Sequence, residues 1–139
     1  MIEPTDACCL LRSLGLRTSS WNVSRRDALC QAPVSSIWPG ESVIEKSGGS
    51  ALPISTDVAD ADAVDAAAEQ VERELGPIDV WINNAMATIF APLHEIEPDE
   101  YRRATETTYL GSVWGTMAAL RRMRPRNRGT IVFVGSALA

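Results

Sequence analysis

From about Val43 onward, apolar and polar residues fall into a regular rhythm that the preceding stretch lacks. Residues 1–40 carry clustered Ser, Cys, Trp and Arg. Leu10, Leu11, Leu14 and Leu16 suffice there for one short turn or strand and no sustained period. Glu41–Lys46 followed by Gly48-Gly49 reads as the end of a helix, with glycine supplying the left-handed stop. Ala51–Ser55 reads as a short strand. Asp60 is a suitable N-cap, and Val64, Ala67, Ala68, Val71 and Leu75 follow at helical spacing as one apolar stripe. Gly76-Pro77 closes that helix, and Ile78–Ile82 reads as a second strand. Pro98 suits a first helical turn, with Asp99 and Glu100 at its positive end. The pattern predicts a helix from there to about Met123, with Tyr101, Ala104, Thr108, Val113, Met117 and Leu120 facing inward. Ile131–Val134 is apolar on both faces, as a buried parallel strand should be.

Strands alternating with helices predict α/β layering around a parallel sheet, with helices brought onto its faces by right-handed crossovers. A chain of 139 residues holds one such domain. The net charge of -5 argues against nucleic acid as a partner. The charge is uneven, however: residues 59–100 hold eleven acidic groups and one Arg, whereas 101–139 hold seven Arg and one Glu. Most of those arginines sit at the far end of the predicted long helix, where cations suit its dipole. Cys8, Cys9 and Cys30 have no metal-binding spacing and read as free thiols of a reducing compartment. No run has the length of a membrane span and no leader pattern is evident, so the expected setting is cytoplasmic, without a membrane partner.

Several short motifs then fall in order. Asp57-Val58 follows the first strand, and Gly76-Pro77-Ile78-Asp79-Val80 leads into Trp81-Ile82-Asn83-Asn84-Ala85. Thr107-Thr108-Tyr109-Leu110-Gly111 lies in the long helix, and Gly129-Thr130-Ile131-Val132-Phe133-Val134-Gly135-Ser136 closes the set. Over about residues 42–139 the chain resembles the short-chain dehydrogenase/reductase family. The resemblance implies a partial Rossmann-like, doubly wound parallel sheet in a three-layer α/β/α domain, matching family strands 3 to 5. It implies NAD or NADP as cofactor and hydride transfer with a small alcohol or carbonyl substrate. By the same resemblance Asp57 accepts from the adenine amino group with the Val58 backbone nearby, and Asn84 and Ala85 border the cofactor ribose. Ser136 matches the serine that hydrogen-bonds the substrate oxygen. Thr108 stands where the family has an Asn that anchors a relay water, and Met86 where it usually has Gly. Gly111 and Gly115 share one helix face and suit close helix approach, either within the chain or in the family's helix-mediated homo-oligomer. His94 lies in a loop before a helix, and no metal site is expected.

Two family features have no counterpart. Residues 1–45 contain no T-G-x-x-x-G-x-G turn, whose backbone N–H groups would hold the diphosphate at a helix N-terminus. No Tyr is followed by Lys at the Tyr-x-x-x-Lys spacing, and Lys46 is the sole lysine. Residues 1–40 are therefore left unassigned, disordered or not selected for packing, and residues 41–139 form the partial domain. In the family sheet, strands 1 and 2 lie between 3 and 4, so the Ala51–Ser55 strand is expected to lack a neighbour and the isolated chain to be poorly folded or aggregating. The polypeptide is expected to be catalytically incompetent. The alternatives are a non-catalytic module pairing with an intact relative, or a truncated or mis-started product.

Overall fold

A computed structural model describes residues 9–12, 27–30, 44, 46 and 48–135. The elements are β1 (Cys9–Arg12), β2 (Asp27–Cys30), β3 (Ser50–Ala51), α1 (Ala61–Leu75), β4 (Val80–Asn83), α2 (Pro98–Thr105), a π-helical turn (Glu106–Leu110), α3 (Gly111–Met123) and β5 (Thr130–Phe133). The fold is a partial Rossmann-like α/β domain built on one sheet of order β3-β2-β1-β4-β5. β4 and β5 pair in parallel, Val80 opposite Thr130 through Asn83 opposite Phe133.

The strand expected to be unpaired has a partner. Asp27 lies opposite Ser50 and Ala28 opposite Ala51 in a parallel pairing. β1 sits between β2 and β4 and runs antiparallel to both. The upstream stretch thus fills the two sheet positions between β3 and β4, satisfying backbone groups that would otherwise lie along bare edges. β3 itself spans two residues rather than the expected five, and residues 52–57 belong to no regular element.

Each helix boundary has a local cause. Gly48 has φ of 80°, and the Gly49 N–H donates to the Ile44 carbonyl, closing the helical turn that holds Ile44 and Lys46. Asp60 Oδ1 accepts from the N–H groups of Asp62 and Ala63 and starts α1. Gly76, at φ 90°, ends it. Val64, Ala67, Ala68 and Val71 are buried as the stripe requires. Val64, Ala68 and Val71 meet Ile78, Trp81, Ala118, Ala119 and Met123 in one core, where Trp81 is 1% exposed.

The long helix departs from its expected face. Thr107, Gly111, Gly115, Ala118, Ala119 and Met123 point inward. Tyr101 (60% exposed), Met117 (43%) and Leu120 (40%) point out. The π-helical turn adds a residue to the helical count and turns the following face by about 100°. The inner face must also be small, because Trp81 and Val58 already fill that space: a Cβ on Gly111 would lie 3.0 Å from Val58 Cγ2, and one on Gly115 2.8 Å from Trp81 Nε1. The paired glycines are therefore taken up by packing within the chain.

Arg121, Arg122, Arg126 and Arg128 at the helix end are ion-paired. Arg122 donates to Asp65 Oδ1 (2.7 Å), to the Asp65 carbonyl (3.0 Å) and to the Ala118 carbonyl (3.1 Å), tying α3 to α1. Arg126 and Arg128 reach Asp79 at 3.3 and 3.4 Å. Among the described residues no helix is long and apolar enough to cross a membrane.

Candidate cofactor-side site

The segment that follows β3 and the carboxyl end of β4 bring four of the expected residues together. In an open α/β sheet this is where ligands bind. Val58 follows Asp57, is 4% exposed, and packs on Gly111. With Asn84, Ala85, Ser112 and Gly115 it lines a seam of about 10 Å³ between β4 and α3. That space is about one water, so the surface above it, not the seam, is what a ligand would meet. Asn84 is exposed and Ala85 partly so.

Asp57 is held in a defined pose. Arg103 of α2 grips it as a fork, Nη1 to Oδ2 at 3.0 Å and Nη2 to Oδ1 at 3.2 Å. The Ala59 N–H donates to Oδ1 at 2.9 Å. Burial pushes the Asp57 carboxyl up. The Arg103 hydrogen bonds, the Ala59 N–H and the Arg103 charge outweigh it and hold the group below the usual carboxylate range. Among the described residues, the Val58 N–H beside it has no acceptor. An ionised acceptor next to a buried, unanswered donor is the complement of an amino group flanked by a ring nitrogen, so the donor set fits the adenine end of a dinucleotide.

Thr108 acts on the loop after β4. Its Oγ1 accepts from the Ala87 N–H at 3.0 Å and donates to the Ala87 carbonyl at 3.1 Å. Ser112 Oγ caps the Thr108 carbonyl at 2.9 Å, and Thr116 Oγ1 caps Ser112 at 2.7 Å. The hydroxyls at 108, 112 and 116 therefore form one line down the helix, each used by backbone. Asn83, 6% exposed, ends that line: its Nδ2 donates to Thr116 Oγ1 (3.1 Å) and its Oδ1 accepts from Trp81 Nε1 (2.8 Å). Asn83 thereby ties a core indole to the helix. Ser136 lies outside the described residues. The strand leading to it is anchored, since the Val134 N–H donates to the Asn83 carbonyl at 2.9 Å.

Sequence reasoning missed Arg103. It lies 46 positions from Asp57, and no spacing rule links two such elements. The hydroxyl line was legible as Thr108-x-x-x-Ser112-x-x-x-Thr116, a four-residue repeat on one face.

The pattern of the family described as short chain dehydrogenase matches residues 30–139. The chain belongs to that family. The match starts upstream of the sequence resemblance, at Cys30 in β2. A 3-dehydrosphinganine reductase of Danio rerio is 38% identical over 86 residues, covering 61% of this chain and 26% of that protein. An acetoacetyl-CoA reductase of Paracoccus denitrificans is 40% identical over 79 residues, covering 57% of this chain and 33% of the other. Among solved structures, a short chain dehydrogenase of Mycobacterium smegmatis superposes with a TM-score of 0.66 at 30% identity, covering 71% of this chain and 41% of that one. The chain thus spans about a quarter to a third of the two reductases it matches.

Proposed function

We propose that this chain carries the adenosine-side half of an NAD(P) site belonging to an oxidoreductase for small alcohols or carbonyls. The observation that carries the reading is the Asp57 carboxylate held beside the buried Val58 N–H, on the sheet edge that also bears Asn84 and Ala85. Asp57 accepts from the adenine amino group. Val58 donates to a ring nitrogen beside it. Asn84 and Ala85 border the ribose, Thr108 pins their loop, and the Ser136 hydroxyl binds the substrate oxygen. When bound, the nicotinamide supplies or takes a hydride.

We propose that this stretch of chain does not turn over by itself. Its sequence holds no glycine-rich diphosphate turn and no Tyr-x-x-x-Lys, so neither the diphosphate nor the transferred proton is provided for. Calorimetric titration with NAD(H) and NADP(H) tests the reading. The expected outcome is no affinity tighter than about millimolar, roughly -4 kcal/mol, while ligand-observed NMR still detects AMP contacting the protein. Steady turnover or micromolar binding sinks the claim of incompetence, and an absence of AMP contact sinks the adenosine site.

A further inference from the structure

We infer that Cys9 and Cys30 are joined by a disulfide under oxidising conditions, a redox-sensitive clasp between β1 and β2. The observation is the register. The two strands are antiparallel, and Cys9 lies directly opposite Cys30, with Leu10 opposite Leu29, Leu11 opposite Ala28 and Arg12 opposite Asp27. Residues so opposed share one face of the sheet, with Cα atoms about 4.5 or about 5.5 Å apart, and both spacings lie within the roughly 4.4–6.8 Å that a disulfide spans. A slip of one residue would separate the two positions, so the pairing is a property of this register and not of the composition. On its other side Cys9 lies opposite Ile82. Both cysteines are thereby placed on the sheet face of Val80 and Ile82, which are half-buried, and not on the face of the buried Trp81 and Asn83 that packs on α3. An oxidant in solution need not cross the core to reach that face. The register also sets the clasp at the carboxyl end of β4, beside the segment that carries Asn84 and Ala85. The bond would close residues 10–29 into a loop and fix the two strands that fill the sheet between β3 and β4. The oxidant is a small-molecule disulfide such as oxidised glutathione. One cysteine thiolate attacks a glutathione sulfur, the glutathione S–S bond breaks and one glutathione leaves. The other cysteine thiolate then attacks the protein sulfur of the mixed disulfide and releases the second glutathione. The chain gives up two electrons, the oxidant takes them, and the two thiol protons end on the released glutathiones.

The test equilibrates the full chain with glutathione at stepped ratios of its reduced and oxidised forms, in native buffer and in concentrated urea, and traps free thiols by alkylation. Cleavage after Arg12, Arg26 and Lys46 separates the cysteines, so the link joins peptide 1–12 to peptide 27–46 in the mass spectrum. The expected product is one link within one chain, with Cys8 alkylated. The link persists in Cys8→Ser and is lost in Cys9→Ser. Its formation in native buffer is favoured at least about tenfold over that in urea, because the folded register holds the two positions together. The oxidised chain accordingly unfolds at a urea midpoint higher by about 1 M or more. Equal use of Cys8 and Cys9, equal formation with and without urea, or a link only between two chains overturns the inference. None of these readouts involves a nucleotide, so the result is independent of the adenosine-site reading.

Discussion

Replacing Gly115 with alanine should destabilise the chain although it improves helix propensity. Gly115 lies in the middle of α3 with its Cα against the Trp81–Asn83 pair. An added methyl would collide with Asn83 Oδ1 and come within 2.8 Å of Trp81 Nε1 and 3.1 Å of Trp81 Cζ2. Neither neighbour can give way cheaply: Trp81 is 1% and Asn83 6% exposed, and they are bonded to each other at 2.8 Å. Overpacking costs about 1–3 kcal/mol. Disrupting a buried indole–amide bond costs about 1–3 kcal/mol more. The Gly to Ala change in a helix returns only about 1 kcal/mol. The net expectation is a loss of about 3 kcal/mol, or a fall of more than about 1 M in the urea midpoint, followed by circular dichroism and tryptophan fluorescence. Two companions calibrate it. Gly135→Ala enters open space and should stay within about 0.5 kcal/mol. Gly111→Ala meets Val58 Cγ2 at 3.0 Å and should fall between the two. A midpoint for Gly115→Ala above that of the unaltered chain, as propensity alone demands, would refute the packing of α3 on β4.

Arg122, with a side chain 13% exposed, should cost about 1–3 kcal/mol on truncation to alanine, discounted because its partner Asp65 is 35% exposed. Asp65 itself is held below its ordinary value, first by the Arg122 hydrogen bond, against burial, and then by the Arg122 and Arg121 charges. Its contribution is therefore complete above about pH 4, the unfolded carboxylate value, and is lost as pH falls through the lowered folded value. Asp65→Asn should remove that acid-side slope, and urea midpoints measured from pH 7 to pH 3 that run parallel in both chains would contradict it. Thr108→Val should raise hydrogen exchange at the Ala87 amide about five- to tenfold, one lost hydrogen bond, while Thr108→Ser retains protection. Equal exchange in all three would show that the loop is not pinned by this hydroxyl.

The hydrophobic rhythm and its punctuation were sufficient for α1. The Asp60 cap, the stripe from Val64 to Val71 and the Gly76 stop are all local events within one helix. They were sufficient too for the existence of β4 and β5 and for the family, because Trp81-Ile82-Asn83-Asn84-Ala85 and its companions are short contiguous motifs. Local pattern could not orient α3. Apolar residues lie on both of its sides, and only the bulk of Trp81 and Val58 decides that glycine and alanine must face the sheet while Met117 and Leu120 remain outside.

The sequence by itself determined α1, the presence of the long helix and of β4 and β5, and which small motifs sit at strand ends, since those depend on dihedral preference and on neighbours within a few residues. Only the tertiary structure decided what fills the sheet between β3 and β4, and that Arg103 grips Asp57. It also decided that the hydroxyl of Thr108 is spent on Ala87. Those outcomes hinge on groups far apart in the chain competing for the same donors, acceptors and volume, and such competition is settled only when the elements meet.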